Sequence, residues 1–241
     1  MIRILMPLTC GLCLLGGVLA VRLSHPTPWA ILATAEAAQK YQATALEEAP
    51  PEEVSEAIRK ALAKGATRVV DSKGKPLLDL WLVKAAATRA EPATDEVEFG
   101  FLEEGALVAV ARMHANGKDF KGNKYKPGAY TCRYAVLPED GDHQGVSETR
   151  DFLLLSPAAA DTSAESKTPE ELVELSKKTS KGGHPAVLYL ANPLEEGGKL
   201  PRVAEDQDLA HWFLDCELPS GTKGKPPARM RIVILGQSPD F

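Results

Sequence analysis

The chain has 241 residues, 44% of them hydrophobic and 25% charged, so one sizeable core can form without help from metals or disulfides. Lysine and arginine number 28 against 33 acidic residues, for a formal charge of -5. That balance lacks the basic excess of a nucleic-acid-binding chain, and it excludes nucleic acid and anionic membrane surfaces as expected partners.

Residues 1–20 read as an export segment. Arg3 supplies a positive start, Ile4 to Val21 is an uncharged apolar run, and Val18-Leu19-Ala20 offers small residues at a cleavage position. Ala33-Thr34-Ala35 is a second site of that kind. The apolar run approaches the roughly 18 to 20 residues that span a bilayer, so the alternative is an N-terminal anchor. Both readings place the rest of the chain in the periplasm or outside the cell, with membrane contact only through residues 4–21. Cys10 and Cys13 fall inside the apolar run, where no redox-active Cys-x-x-Cys turn can be built.

Residues 21–51 are rich in Ala, Glu, Thr and Gln between proline pairs and read as a tether or loosely packed helix. From Glu52, Val54, Ala57, Ile58, Ala61 and Leu62 recur at helical spacing, and Gly65 is placed to close that helix. The period then shortens. Ala66–Asp71 and Leu77–Lys84 flank a Ser-Lys-Gly-Lys-Pro turn and predict a hairpin. Further strands are expected at Val97–Leu102, Leu107–Met113, Ala129–Leu137 and Phe152–Leu155. A helix near 168–180 opens on Thr168-Pro169-Glu170-Glu171, a capping box with proline at the first helical position. Strands return at Ala186–Leu190, Ala210–Leu218 and Arg229–Leu235. Regularly spaced short strands predict a mainly β fold, a β-sandwich over residues 52–241 with one or two peripheral helices.

The run Lys126-Pro127-Gly128-Ala129-Tyr130-Thr131-Cys132 resembles the Pro-Gly-x-Tyr approach to an inner strand in immunoglobulin-like sandwich modules. Tyr130 precedes Cys132 by two residues, as in a tyrosine corner, and Trp81 lies upstream where a core tryptophan stands. The run from Gly117 to Phe152 also resembles an uncharacterised family of exported bacterial proteins. The resemblance implies an immunoglobulin-like or related Greek-key sandwich, with the Tyr130 hydroxyl bonded to nearby backbone. Between Val21 and Trp81 there is no cysteine, so the usual inter-sheet disulfide of immunoglobulin domains cannot form. Cys132 and Cys216 are either one disulfide, as an oxidising compartment favours, or two buried thiols.

Asp140, Asp142 and His143, with Glu148 close by, are metal-ligand types packed into one loop, although their spacing matches neither the twelve-residue calcium loop nor His-Glu-x-x-His. The alternative is a solvated connector whose Asp and Gly serve turn geometry. His25, His114, His184 and His211 share no metal-binding spacing. No Gly-x-Ser-x-Gly elbow, Ser-x-x-Lys or phosphate loop is present; Lys181-Gly182-Gly183 is a short glycine turn. The expectation is an exported, non-catalytic binding or scaffolding protein of the cell envelope, with no cofactor and with an envelope protein or polymer as partner. The rival is a metal-binding protein or metal-dependent hydrolase that uses Asp140, Asp142 and His143 for a divalent ion.

Overall fold

The computed structural model describes residues 39–90, 97–138, 145, 147–193 and 197–238. Its strands in chain order are β1 (Tyr41–Leu46), β2 (Ala66–Asp71), β3 (Pro76–Leu82), β4 (Leu107–Met113), β5 (Gly117–Lys118), β6 (Lys124–Tyr125), β7 (Gly128–Val136), β8 (Asp151–Pro157), β9 (Ala186–Ala191), β10 (Arg202–Asp206), β11 (His211–Leu218) and β12 (Ala228–Leu235). Helix α1 (Glu56–Ala61) precedes β2, and α2 (Pro169–Ser176) lies between β8 and β9. Ten strands form one antiparallel sheet in the order β1-β2-β3-β4-β7-β8-β9-β12-β11-β10, while β5 and β6 pair as a separate small hairpin. The fold is therefore mainly β with two peripheral helices, as the strand pattern predicts.

It is built from one sheet, where an immunoglobulin-like sandwich has two facing sheets. The first seven large strands follow one another as a meander, and the last four carry the Greek-key order β9-β12-β11-β10. The two ends of the sheet lie side by side. Side chains make that seam: Gln39 Nε2 donates to the Val203 carbonyl at 2.6 Å, and the Tyr41 and Trp212 rings meet edge to face at 4.8 Å.

Alternation along the strands sorts the apolar residues into two layers. Leu153, Leu155, Leu188, Leu190, Leu214, Ile232, Cys132 and Tyr134 belong to the interior cluster. Their neighbours Phe152, Leu154, Val187, Tyr189, Phe213 and Val233 face outward into a second cluster with Phe120 and Leu172. α2 supplies Leu172, and so covers the outer face of β8 and β9. Every residue of β9 is buried, which is why it reads as an unbroken apolar run.

Several boundaries differ from expectation. Tyr41–Leu46, inside the expected tether 21–51, is the edge strand β1. Only Leu46 among its residues is buried, so its alternation is faint. Helix α1 is capped by the Ser55 side chain and stops at Ala61, well before Gly65, because Leu62 turns extended and bridges to Val83. Val97–Leu102 is not a strand. The Asp151 carboxylate accepts the backbone N–H groups of Glu98 and Phe99 at 2.7 and 3.1 Å, which removes donors that a ladder needs, and Phe99 and Leu102 enter the core. By contrast, both halves of the Thr168–Glu171 capping box are formed at the start of α2.

The loop from β8 to α2 is held by one buried ion pair. Arg133 Nε and Nη2 reach both carboxylate oxygens of Asp161, at 2.6 and 3.1 Å. The remaining guanidinium N–H groups go to the carbonyls of Gly105, Ser163 and Glu165. Gly105 is required there: its φ is +83°, and a Cβ would come within 1.8 Å of the Lys167 carbonyl oxygen. Breaking a fully buried pair strands a charge and costs about 3–5 kcal/mol. Asp161→Asn and Arg133→Met should therefore each lower the urea midpoint strongly, and the double variant should lose far less than their sum. Additive losses below about 1 kcal/mol each would contradict this role.

Candidate functional site

On the outer face, two aspartates each sit between a pair of arginines contributed by the flanking strands. Asp79 on β3 is in register with Arg68 on β2 and Arg112 on β4. Asp215 on β11 is in register with Arg202 on β10 and Arg231 on β12. Arg68 grips Asp79 with both nitrogens, Nε at 2.6 Å and Nη2 at 2.9 Å; Arg231 grips Asp215 in the same way at 2.7 and 3.0 Å. In each group an arginine also stacks on an aromatic ring of the central strand, Arg112 over Trp81 at 5.2 Å and Arg231 over Phe213 at 4.5 Å. His114 Nε2 lies 2.8 Å from Asp79 Oδ2, and Glu48 bridges Arg68 and Arg112. Burial works against the Asp79 charge, but the bonds from Arg68 and His114 prevail and hold its carboxyl below the usual carboxylate range.

The residues singled out by the immunoglobulin-like run are packed into the fold. The Tyr130 hydroxyl donates to the Lys126 carbonyl at 2.8 Å, and Trp81 Nε1 donates to the Glu48 carbonyl at 2.9 Å. Cys132 and Cys216 are free, buried thiols, each pushed up to about 12 chiefly by desolvation. The disulfide alternative is thus not realised, and neither thiol is a ready nucleophile. Asp140, Asp142 and His143 lie outside the described residues, as does His25. His184 is exposed, whereas His211 is buried and bonded to the Gln237 carbonyl. Among the described residues no three His, Cys, Asp or Glu side chains gather in a metal-binding group, and no helix is long and apolar enough to cross a membrane.

An open cleft of about 610 Å³ lies between the β5–β6 hairpin and the turn after α2. Lys118, Lys124 and Lys126 line it from one side, Lys178 and Lys181 from the other, with Asn116, Gly117, Tyr125, Thr179 and Ser180 between them. All five lysines are exposed, and none forms an ion pair with a carboxylate among the described residues. Each wall is fastened to the sheet. The buried Asp119 carboxylate accepts from Asn123 N at 2.7 Å and from Val187 N of β9 at 2.9 Å, so the hairpin is docked on the β9 edge. Burial lifts the Asp119 carboxyl above its usual range even against these donors. Phe120 then inserts beside Phe152, Tyr189 and His211. On the other wall, Thr179 Oγ1 donates to the Leu155 carbonyl at 2.8 Å, and Ser176 exchanges two hydrogen bonds with Ala186. A concave, lysine-lined volume on a scaffold fastened in this way can hold anions.

The chain matches no family model, no curated protein and no solved structure. The cleft itself escapes a reading by motif, but a signal for it exists. Residues 118–126 (KDFKGNKYK) and 177–181 (KKTSK) are basic islands in an acidic chain, with Asp119 as their one acidic residue, and that one is buried.

The Asp79 cluster makes a pH-dependent contribution to stability. A folded carboxyl held below its unfolded value stabilises fully above the unfolded value, and the benefit is lost as pH falls through the depressed folded one. Urea midpoints of the parent should therefore fall on acidification below about pH 4, and Asp79→Asn should be less stable at pH 7 with a flatter acid limb. Parallel acid limbs would show that Asp79 carries no such linkage.

Proposed function

We propose that the protein is an exported, non-catalytic binding module that holds an anionic partner of the cell envelope in the lysine cleft. The observation that carries this reading is the set of five lysines on two facing walls without carboxylate partners among the described residues. Like charges brought together cost free energy unless a counter-charge joins them, and a cleft concentrates their field on a ligand. The placement of the other charges supports it. Asp79, Asp119, Asp151, Asp161 and Asp215, the buried aspartates of the described residues, are all bonded to groups that hold strands or loops in place. The interior of the sheet is filled by side chains, which leaves the outer surface for ligands. Export rests on the apolar run at residues 4–21.

The test is titration calorimetry with dextran sulfate and with neutral dextran. The sulfated polymer should bind and the neutral one should not, with affinity falling as salt is raised. Lys118→Gln/Lys124→Gln/Lys178→Gln should weaken binding by roughly tenfold or more while the melting temperature stays unchanged, because the three side chains are exposed. Absent binding, or binding indifferent to the triple substitution, would overturn the reading.

A further inference from the structure

The cleft differs from the buried aspartate sites in the cation that dominates it. Arginine forks grip those aspartates, Arg68 on Asp79, Arg133 on Asp161 and Arg231 on Asp215, with a single bond from Arg202 to Asp215; lysines meet carboxylates at Glu56, at Glu174 and, 3.6 Å away, at Asp161. The cleft has no arginine in its lining, only the compact ammonium groups of lysine. A guanidinium fork matches two coplanar oxygens, whereas an ammonium is a point charge that suits a group with oxygens spread over a tetrahedron.

The polar groups between the lysines also offer donors. The Thr179 and Ser180 hydroxyl protons are already committed, to the Leu155 and His184 carbonyls. Tyr125 is different. It is only 8% exposed, its ring end lies against Gly117, and its hydroxyl has no hydrogen-bond partner among the described residues. A Cβ at residue 117 would come within 2.3 Å of that hydroxyl, so glycine there is what lets the ring lie flat beneath the hairpin and line the cleft. Burial raises the Tyr125 hydroxyl above its ordinary value, so it stays protonated at neutral pH, and as part of the cleft lining it can donate to a bound oxygen.

From this donor set we infer that the cleft is a site for a ligand bearing several phosphate groups, an inference that rests on the anion-binding reading and narrows it. Five ammonium groups face a volume of about 610 Å³, far larger than one phosphate needs. Each phosphoryl group carries about -1.5 to -2 at neutral pH, so about three neutralise the five lysines. The Tyr125 hydroxyl then donates to a phosphoryl oxygen at the cleft floor.

The experiment is calorimetry on the full chain with inorganic tripolyphosphate, with citrate as a tricarboxylate control, and by flotation with phosphatidylcholine vesicles containing phosphatidic acid. Tripolyphosphate should bind about tenfold or more tighter than citrate. Lys124→Gln/Lys178→Gln, one change in each wall, should weaken it by roughly tenfold or more, and Tyr125→Phe by roughly threefold to tenfold at an unchanged melting temperature. Lys223→Gln, an exposed lysine outside the cleft, should bind as the parent does. Vesicle binding that tripolyphosphate displaces identifies a headgroup as the source of the phosphates; tripolyphosphate binding without flotation identifies a soluble ligand. If dextran sulfate binds through the lysines but tripolyphosphate is no better than citrate, or Tyr125→Phe has no effect, the phosphate inference falls while the anion-binding reading stands. If neither anion binds, both fall.

Discussion

Arg133 lies on the outer face of β7, fully buried, and every N–H of its guanidinium has an acceptor. Those acceptors belong to Asp161, Gly105, Ser163 and Glu165, so one side chain fixes the loop that leads from β8 to α2. The position of α2 follows, and with it the turn that presents Lys178 and Lys181 to the cleft. A guanidinium buried without that loop would cost several kcal/mol, so the strand and the loop order one another. The opposite wall depends on a second buried carboxylate, Asp119, which ties the β5–β6 hairpin to β9.

The same principle acts elsewhere on the outer face of the sheet. Asp79 and Asp215 sit centrally between arginines in register on both flanking strands, which lets a carboxylate be buried on a sheet face with its charge intact. These pairings bury carboxylates between arginines, whereas the cleft is lined by five lysines with no carboxylate partner among the described residues.

Local signals were the legible ones. The capping box at Thr168 and the apolar runs of Leu107–Ala111 and Ala186–Ala191 each report the element they form. What needed distant partners was hidden. The β1 strand is defined by its register with β2, Val97–Leu102 loses its strand character to the Asp151 carboxylate, and Leu62 leaves its helix to bridge Val83. The site shows the same limit. Each basic island is visible in the sequence, but Lys126 and Lys178, 52 positions apart, are brought together by bonds through Asp119, Thr179 and Ser176 that the sequence does not show. The free state of Cys132 and Cys216 likewise follows from where two strands place them inside the core.

β8 and β9, buried on both faces beneath α2 and Phe120, are the rigid support of the cleft, while among the described residues the β1–β10 seam is held by side chains. Native-state amide hydrogen exchange tests it most directly. Amides of Phe152–Leu155 and Val187–Leu190 should exchange only through global unfolding, with a shared free energy and denaturant dependence, whereas those of β1 and β10 should open at a distinctly lower one. Low-energy local exchange in β8 and β9, or a seam as protected as they are, would contradict it.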